Sequence, residues 1–367
     1  MIQPVSARFP EFPWDTLAEA KARAASHPDG IVDLSIGTPV DPAPDLVRQA
    51  LADASDAPGY PTVAGPDALR QSAVDWLGRR FGITGVDASQ VLMTIGSKEL
   101  IANLPVQLGL GPDDLVVVPE LAYPTYEVGA RLAGCRVVAA DSTVALGPER
   151  PAVVYVNSPA NPHGRVLGPD HLRKMVDWAR QRGALLVSDE CYLELAWEGE
   201  AASVLHPDVN GGSLDGVLAV HSLSKRSNLA GYRGSFVAGD AAVVRELHAV
   251  RKHLGFMVPT PVQAAVVAAY ADDEHVDRQR ALYAARRDEL RTAAAAAGFT
   301  VEHSEGGLYL WVTRGEPCRD TIAWLAGLGI LAAPGDFYGP RGTRHVRLAF
   351  TATDERIAAA AARLSRG

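Results

Sequence analysis

The stretch VLAVHSLSKRSNLAGYRGS, residues 217–235, joins an apolar run to a cluster of polar and cationic residues. Its first four residues have the length and composition of a buried strand, and turn-forming residues follow them. Lys225 comes just past the end of that strand, after the hydroxyls of Ser222 and Ser224, and Arg233 follows eight residues later. An amine, two hydroxyls and a permanent cation suit a ligand that carries both an aldehyde and a phosphate. Most lysines are solvated surface charges, so a role for Lys225 needs support from the rest of the chain.

Composition restricts the class of protein. The chain has 367 residues, of which 47% are hydrophobic and 21% charged, which is typical of a soluble globular protein of about two domains. A net charge of −8 offers no basic excess for nucleic acid or a membrane surface. The three cysteines form neither a metal motif nor a disulfide framework, and no signal peptide or membrane span is evident. We therefore expect a cytoplasmic protein without a metal site.

Strand-like and helix-like segments alternate through the middle of the chain, which predicts an α/β fold with a parallel sheet covered by helices. The predicted strands here are 91–95, 115–119, 152–156 and 184–188, and the clearest predicted helices are 65–81 and 170–182. In such sheets, ligands bind beyond the carboxyl ends of the strands.

The two ends of the chain are predicted to form a smaller unit. Residues 16–25 suggest a helix capped by Asp15, and residues 31–36 suggest a strand. After residue 235 the sequence predicts helices, the last of them 277–297, and then a small α/β unit. We predict an N-terminal segment (1–45) that joins the small domain, a large domain (46–285) and a small C-terminal domain (286–367).

Several polar residues lie at or just after predicted strand ends, where Lys225 also lies. Asp189 is a candidate partner for a pyridine nitrogen, although an aspartate there is also typical of a turn or helix cap. Asn161 and Tyr192 are candidates to contact the phenolic oxygen of the ring, and Tyr123 to stack on its face. Together with Lys225 they describe a site for pyridoxal 5'-phosphate.

Three further positions can present an N–H or hydroxyl group to a ligand. Gly96, Ser97 and Lys98 follow a predicted strand and begin a helix, so their N–H groups can bind an anion, or Ser97 can simply be a cap. Gly37 can expose its N–H to an anion or serve only as a turn residue. Tyr60 lies in a Gly-Tyr-Pro turn and can present its hydroxyl or pack.

The chain resembles the class I/II aminotransferases of fold type I from about residue 35 to residue 350. The matching motifs are SLSK (222–225) with Arg233, SDECY (188–192), NSPANPHG (157–164), GSKE (96–99), YPTY (123–126) and VRLAF (346–350). Where many members have Asn-Pro-Thr-Gly, this chain has His163, for which we expect no catalytic role.

The resemblance implies a role for each matching residue. Lys225 would form the Schiff base and move the proton at the substrate Cα. Asp189 would pair with the pyridine nitrogen, Tyr192 and Asn161 with the phenolic oxygen, and Tyr123 would stack on the ring. The phosphate would be held by Ser222, Ser224, Arg233, the N–H groups of Ser97 and Lys98, and Tyr60 from the partner of a homodimer. Arg347 and the Gly37 N–H would bind the substrate α-carboxylate.

A closer similarity is to the N-succinyldiaminopimelate aminotransferases of actinobacteria. It rests on segments such as HPDGIVDLSIGTPVDP (27–42) and APGDFYGP (333–340). This implies transfer of an amino group between N-succinyl-LL-2,6-diaminopimelate, or its 6-oxo precursor, and the 2-oxoglutarate and glutamate pair, in lysine and diaminopimelate biosynthesis. A second cation would then be needed for a distal carboxylate, and Lys98, Arg23 and Arg226 are candidates.

Other functions stay open at this point. The same scaffold serves aminotransferases for aromatic or small neutral amino acids, and a pyridoxal-phosphate carbon–sulfur lyase could use the same cofactor residues. A DNA-binding regulator of this fold would need an added region, for which no segment is spare. A Rossmann dehydrogenase fits poorly, because Gly109-Leu110-Gly111 lacks the third glycine of the dinucleotide motif.

Overall fold

A computed structural model describes residues 4–366 of the chain. The strands are β1 (Val32–Asp33), β2 (Val91–Ile95), β3 (Leu115–Val118), β4 (Arg136–Ala139), β5 (Val153–Asn157), β6 (Leu185–Asp189), β7 (Val217–Ser222), β8 (Gly234–Gly239), β9 (Thr300–Glu302), β10 (Tyr309–Thr313), β11 (Ile330–Leu331), β12 (Ala333–Pro334) and β13 (Val346–Ala349). The α-helices are α1 (Ala18–Ala25), α2 (Asp45–Asp53), α3 (Asp67–Phe81), α4 (Ser97–Gln107), α5 (Thr125–Ala133), α6 (Pro169–Arg182), α7 (Pro207–Asn210), α8 (Leu223–Arg226), α9 (Ala241–Leu254), α10 (Thr260–Ala271), α11 (Glu274–Ala296), α12 (Cys318–Gly327) and α13 (Asp354–Leu364).

Seven strands form the central sheet in the order β2-β8-β7-β6-β5-β3-β4. All of them run parallel except β8, which is antiparallel to both of its neighbours. The predicted mostly parallel sheet is therefore confirmed, and β8 is the exception that the sequence did not reveal. In the β7–β8 pair Ser222 lies opposite Ser235, so the chain reverses between them. That reversal returns Arg233 to the sheet edge from which Lys225 departs.

Apart from the edge strand β4, which is mostly exposed, both faces of this sheet are buried, as expected for parallel strands covered by helices. Within β7, Val217 and Ala219 belong to the core on one face, whereas Leu218 and Val220 belong to the core on the other. This alternation follows from the two-residue period of a strand. The central strands are thus fixed on both sides, which gives their carboxyl ends a rigid base.

A second, antiparallel sheet has the order β12-β13-β10-β9 and packs with α12 and α13. The N-terminal segment joins this part of the molecule, because β1 pairs with β11 through Val32 and Ile330. Ala24 of α1 also packs against Ala326 of α12. Helix α11 crosses the predicted boundary at residue 285, so the division into 1–45, 46–285 and 286–367 stays a prediction.

Some local predictions were wrong. The strand predicted at 31–36 is only two residues long, because it has a single short partner in β11. Asp15 does not cap a helix; it lies inside a 3-10 turn, Pro13–Leu17, that runs directly into α1. Strands β4 and β8 and helix α2 were not predicted. In residues 4–366, no helix combines the length and the apolar character needed to cross a bilayer.

Candidate active site

A cavity of about 410 Å³ opens at the carboxyl ends of the central strands. Twelve of the thirteen residues predicted from the sequence line it: Gly37, Ser97, Lys98, Tyr123, Asn161, Asp189, Tyr192, Ser222, Ser224, Lys225, Arg233 and Arg347. The other, Tyr60, is not among the lining residues, and its side chain is 97% exposed. One chain therefore brings together all of the predicted site except the residue expected from a partner.

Lys225 enters this cavity from the single helical turn α8, which begins where β7 ends. The Ser222 hydroxyl accepts the Ser224 N–H at 3.2 Å and so caps this turn. The Lys225 Nζ donates to the carbonyl oxygen of Gly37. The lysine thus links the large sheet to the N-terminal segment across the cavity.

Asp189, the last residue of β6, is a buried carboxylate without a cationic partner. Its Oδ2 accepts the Tyr126 hydroxyl at 2.8 Å, and its Oδ1 accepts the Cys191 N–H at 3.2 Å. Burial raises the pKa of Asp189, and these two hydrogen bonds oppose the rise without reversing it. No lysine or arginine of residues 4–366 contributes to that pKa. A cationic ligand group at this point would supply the missing counter-charge.

Arg347 of β13 is a buried cation, 3% exposed, and in the described part of the chain no carboxylate pairs with it. Its Nη1 donates to Asn161 Oδ1 and its Nη2 to the Ser35 carbonyl oxygen, both at 2.7 Å. Its Nε has no hydrogen-bond partner within residues 4–366. A buried guanidinium held only by neutral acceptors is prepared for an anion, and its planar fork suits a carboxylate.

Hydroxyl, N–H and guanidinium groups converge where β2 meets α4. Helix α4 begins at Ser97, and Gly96 before it has φ +80°. A Cβ on Gly96 would collide with the Arg233 guanidinium, so only glycine allows this approach. The Ser222 and Ser224 hydroxyls are 3.0 Å apart. The free N–H groups of a helix start, two hydroxyls and an arginine form a suitable cradle for a phosphate.

Two further tyrosines belong to the site, although they were not predicted from the sequence. Tyr309 of β10 lines the cavity, and its hydroxyl lies 3.0 Å from that of Tyr192. Tyr126, whose hydroxyl contacts Asp189, lies edge-on to Tyr123 with ring centroids 5.7 Å apart. Burial raises the pKa of Tyr123 to about 12. The signal for Tyr309 is its register opposite Ala349, two residues from Arg347, which sequence alone does not give.

The three cations considered for a distal carboxylate have different surroundings. Lys98 lines the cavity and has an exposed side chain. Arg226 is buried in an ion pair with Glu194, behind the site. Arg23 is exposed on α1 and is not among the lining residues. Of the three candidates, only Lys98 therefore lines the cavity of this chain.

His163 does not line this cavity but a smaller neighbouring one of about 90 Å³. Burial lowers the pKa of His163 to about 3, so the ring is neutral. His163 therefore lies away from the candidate site, and we assign it no catalytic role.

The groups around the cavity fit pyridoxal phosphate. The uncompensated Asp189 suits a protonated pyridine nitrogen, the cradle at Gly96 and Arg233 suits the phosphate, and Lys225 supplies an amine between them. Tyr192 and Asn161 lie on the same cavity and suit the phenolic oxygen.

Comparison with known proteins agrees with this geometry. The family model described as aminotransferase class I and II matches residues 29–364. A probable aminotransferase of Mycobacterium tuberculosis is 65% identical over 98% of this chain and 86% of its own length. The 4-dedimethylamino-4-oxo-anhydrotetracycline transaminase OxyQ of Streptomyces rimosus is 61% identical over 97% and 99%.

A solved structure is also similar. The probable N-succinyldiaminopimelate aminotransferase of Thermus thermophilus superimposes with a TM-score of 0.87 at 29% identity, covering 97% of this chain and 100% of that one. With the fold, the site and these relatives in agreement, the chain belongs to the class I and II aminotransferases, fold type I enzymes that use pyridoxal phosphate to exchange amino groups between amino and oxo acids.

Proposed function

We propose that this aminotransferase moves an amino group between N-succinyl-LL-2,6-diaminopimelate, or its 6-oxo precursor, and 2-oxoglutarate or glutamate, in cytoplasmic lysine and diaminopimelate biosynthesis. The main observation behind the proposal is the number of cationic side chains that line the cavity. Lys225, Arg233 and Arg347 bind the cofactor or the α-carboxylate, which every substrate requires, whereas the Lys98 side chain has no such role. Both partners of the proposed exchange carry a second carboxylate, which gives Lys98 a task. The Thermus thermophilus relative named for this substrate supports the assignment.

The chemistry divides among residues of this chain. Bound pyridoxal phosphate supplies an electron sink next to the substrate Cα. Lys225 would take the proton from the Cα of the amino donor and later deliver one to the corresponding carbon of the oxo acid, acting as base and then acid. Asp189 would keep its partner nitrogen protonated, and Tyr123 would cover the ring face. Tyr192 and Asn161 donate hydrogen bonds to the phenolic oxygen.

The remaining residues bind and orient. Arg347 and the Gly37 N–H hold the α-carboxylate, which directs the Cα hydrogen towards Lys225. Ser222, Ser224, Arg233 and the N–H groups of Ser97 and Lys98 hold the phosphate. The Lys98 side chain, which is free to turn into the cavity, attracts the distal carboxylate. A single site used in turn by both substrates implies ping-pong exchange.

We propose that the working enzyme is a homodimer with shared active sites. The support is Tyr60, whose aromatic side chain is 97% exposed in the single chain, an unusual state for a residue with so much apolar surface. In the dimer, Tyr60 of a second copy would complete the phosphate cradle.

A second candidate is amination of an anhydrotetracycline-type ketone. It is favoured by the 61% identity to OxyQ and by the apolar side chains of Phe12, Trp14 and Ile36 at the cavity wall. This second candidate function gives the Lys98 side chain no role.

The test follows the visible spectrum of the purified holoenzyme as single amino donors are added, with Lys225→Ala as the blank. We expect N-succinyl-diaminopimelate and glutamate to convert the cofactor to its amine form, whereas aromatic and small neutral donors do not. We expect Lys98→Met to weaken the binding of N-succinyl-diaminopimelate and of glutamate about tenfold, the effect of losing one charged contact. Arg23→Met, remote from the cavity, is the matched control.

Conversion only by aromatic or small neutral donors would reject the substrate while keeping the cofactor site. Release of pyruvate from a cysteine conjugate would indicate a lyase instead. An unchanged response of the Lys98→Met enzyme to glutamate would remove the observation on which the substrate assignment rests.

A further inference from the structure

Tyr309 lines the cavity beside Tyr192 and Arg347, and the proposed function assigns it no role. Its side chain is 3% exposed, and the Arg347 Cζ lies 3.8 Å from the centroid of its ring. Gly37 packs so closely on the ring that a Cβ there would collide with the phenol. The Tyr309 hydroxyl lies 3.0 Å from that of Tyr192. Backbone, cation and phenol therefore hold Tyr309 in one position.

The direction of the hydrogen bond between the two hydroxyls follows from counting protons. Each phenol has one proton to donate. If Tyr192 donates its proton to the phenolic oxygen of the cofactor, the contact between the tyrosines is a hydrogen bond only when Tyr309 is the donor. With the opposite direction, Tyr192 would have no proton left for the cofactor.

The electrostatic surroundings favour Tyr309 as the donor. Burial acts against ionisation of Tyr309, but Arg347, Lys225 and the hydrogen bond with Tyr192 together outweigh it and lower its pKa, whereas burial raises that of Tyr192. The more acidic phenol is the better donor. The other titratable groups that face this pair are the phenols of Tyr123, Tyr283 and Tyr338 and the thiol of Cys191.

We propose that Tyr309 is a positioning residue that donates a hydrogen bond to Tyr192 and so directs the only Tyr192 proton to the phenolic oxygen of the cofactor. The inference rests on the proposed role of Tyr192. The hydrogen bond from Tyr309 polarises the Tyr192 hydroxyl. Tyr192 therefore becomes a stronger donor to the cofactor. Arg347, the carboxylate binder, also lies over the ring of Tyr309.

The test measures the visible absorbance of the holoenzyme against pH. A donor to the phenolic oxygen stabilises its negative charge and helps the adjoining nitrogen to lose its proton. We expect Tyr309→Phe to raise the midpoint of this titration by a few tenths of a pH unit, less than Tyr192→Phe does, because Tyr192 keeps its proton for the cofactor and loses only the polarising hydrogen bond. The double variant Tyr192→Phe/Tyr309→Phe should match Tyr192→Phe alone, because Tyr309 acts through Tyr192.

Tyr338→Phe is the matched control. Arg347 also lies over the Tyr338 ring, at 5.0 Å, but the Tyr338 hydroxyl is buried without a hydrogen-bond partner in residues 4–366. Its removal should leave the midpoint unchanged. A variant that keeps the native shape is Tyr309→3-fluorotyrosine, a more acidic phenol, which should lower the midpoint. Pyridoxal phosphate affinity and melting temperature of each apo-protein check that the site is folded.

The outcomes distinguish the role of Tyr309 from that of Tyr192. A shifted midpoint in Tyr192→Phe with none in Tyr309→Phe would overturn the role of Tyr309 and keep that of Tyr192. Additive shifts in the double variant would do the same. No shift in either single variant would remove the proposed role of Tyr192 and this inference with it.

Discussion

Asp189 and Arg347 are two buried charges of opposite sign, each without an opposite charge beside it in the described chain. Burying an uncompensated charge costs stability, so such residues persist where a ligand supplies the partner. At Asp189 the chain offers two hydrogen bonds and no cation. At Arg347 it offers two neutral acceptors and no carboxylate. The site is thus prepared at one point for a cationic ring nitrogen and at another for a carboxylate.

The hydroxyl of Tyr126 is one of the groups that stabilise the charge on Asp189. Its hydrogen bond to Oδ2, at 2.8 Å, stabilises the ionised carboxylate against burial. Tyr126→Phe should therefore raise the pKa of Asp189 further, so that protonation occurs at higher pH. We expect the acidic limb of the kcat/KM profile to move up by about one pH unit.

Tyr155→Phe is the control for that prediction. The Tyr155 ring stacks on Tyr126 with centroids 4.8 Å apart, but its hydroxyl is buried without a hydrogen-bond partner in residues 4–366. Removing it deletes a hydroxyl from the same aromatic pair and should leave the acidic limb in place. If both variants gave the same profile, the hydrogen bond from Tyr126 would have no part in setting the charge of Asp189.

At the scale of elements, the site is a set of strand ends. Strands β2, β5, β6 and β7 end at Ile95, Asn157, Asp189 and Ser222. Residues that line the cavity follow each end a few positions later: Ser97, Asn161, Cys191 and Ser224. Because both faces of these strands are buried, their ends cannot shift independently. The junction of β2 and α4 is constrained further, because Gly96 there lies against the Arg233 guanidinium.

Gly96→Ala tests that junction. Alanine is strained at φ +80°, and its Cβ would displace the Arg233 guanidinium. We expect the affinity of the apo-protein for pyridoxal phosphate to fall at least about tenfold, since one charged contact is lost. The dissociation constant, measured by fluorescence titration, checks this.

The control is Gly111→Ala, in the loop after α4. A Cβ there meets no atom within 4 Å, and its φ is not in the left-handed region. The cofactor affinity of this variant should equal that of the unchanged protein. Equal affinity in Gly96→Ala as well would mean that Arg233 does not depend on this close approach.

The sequence predicted the elements whose signal is local. The apolar runs of β2, β3, β5, β6 and β7 and the polar residues after them predicted the sheet and most of the cavity residues, whereas Arg347 was predicted only from the resemblance of the segment 346–350 to the family. What it missed depends on distant partners. Strand β8 has an unremarkable Gly-Ser-Phe-Val-Ala-Gly sequence and is a strand because β2 and β7 flank it. Tyr309 and Tyr126 reach the site through cross-strand register and side-chain packing, which composition and spacing do not encode.

At the scale of the whole molecule, one cluster joins the N-terminal segment to the long helix α11. Asp41, between β1 and α2, accepts both terminal nitrogens of Arg286, at 2.6 and 2.8 Å, and the Gln279 amide at 2.8 Å. Gln279 also accepts the side chain of Asn228, three residues after Lys225, at 2.8 Å. The segment that carries Gly37 and the segment that carries Lys225 are therefore tied to the same helix.

Asp41→Asn should loosen this connection. Burial opposes ionisation of Asp41, but the hydrogen bonds from Arg286 and Gln279 outweigh it and lower its pKa. A lowered carboxylate pKa adds stability above the unfolded value of about 3.8, and that stability is lost as the pH falls through the folded value. We expect the variant to lose about 2 kcal/mol of unfolding free energy at pH 7, a partly exposed ion pair being weaker than a fully buried one.

Asp354→Asn provides the comparison on the same arginine. Asp354 accepts the Arg286 Nε at 2.5 Å, but its side chain is 67% exposed, against 15% for Asp41. Solvent screens such a pair, so this variant should lose less than about 1 kcal/mol. Urea unfolding of the apo-proteins at pH 7 and near pH 3 measures both effects, and the difference between Asp41→Asn and the unchanged protein should shrink at the lower pH. A difference that stayed constant with pH would show that the carboxylate charge is not what holds the N-terminal segment to α11.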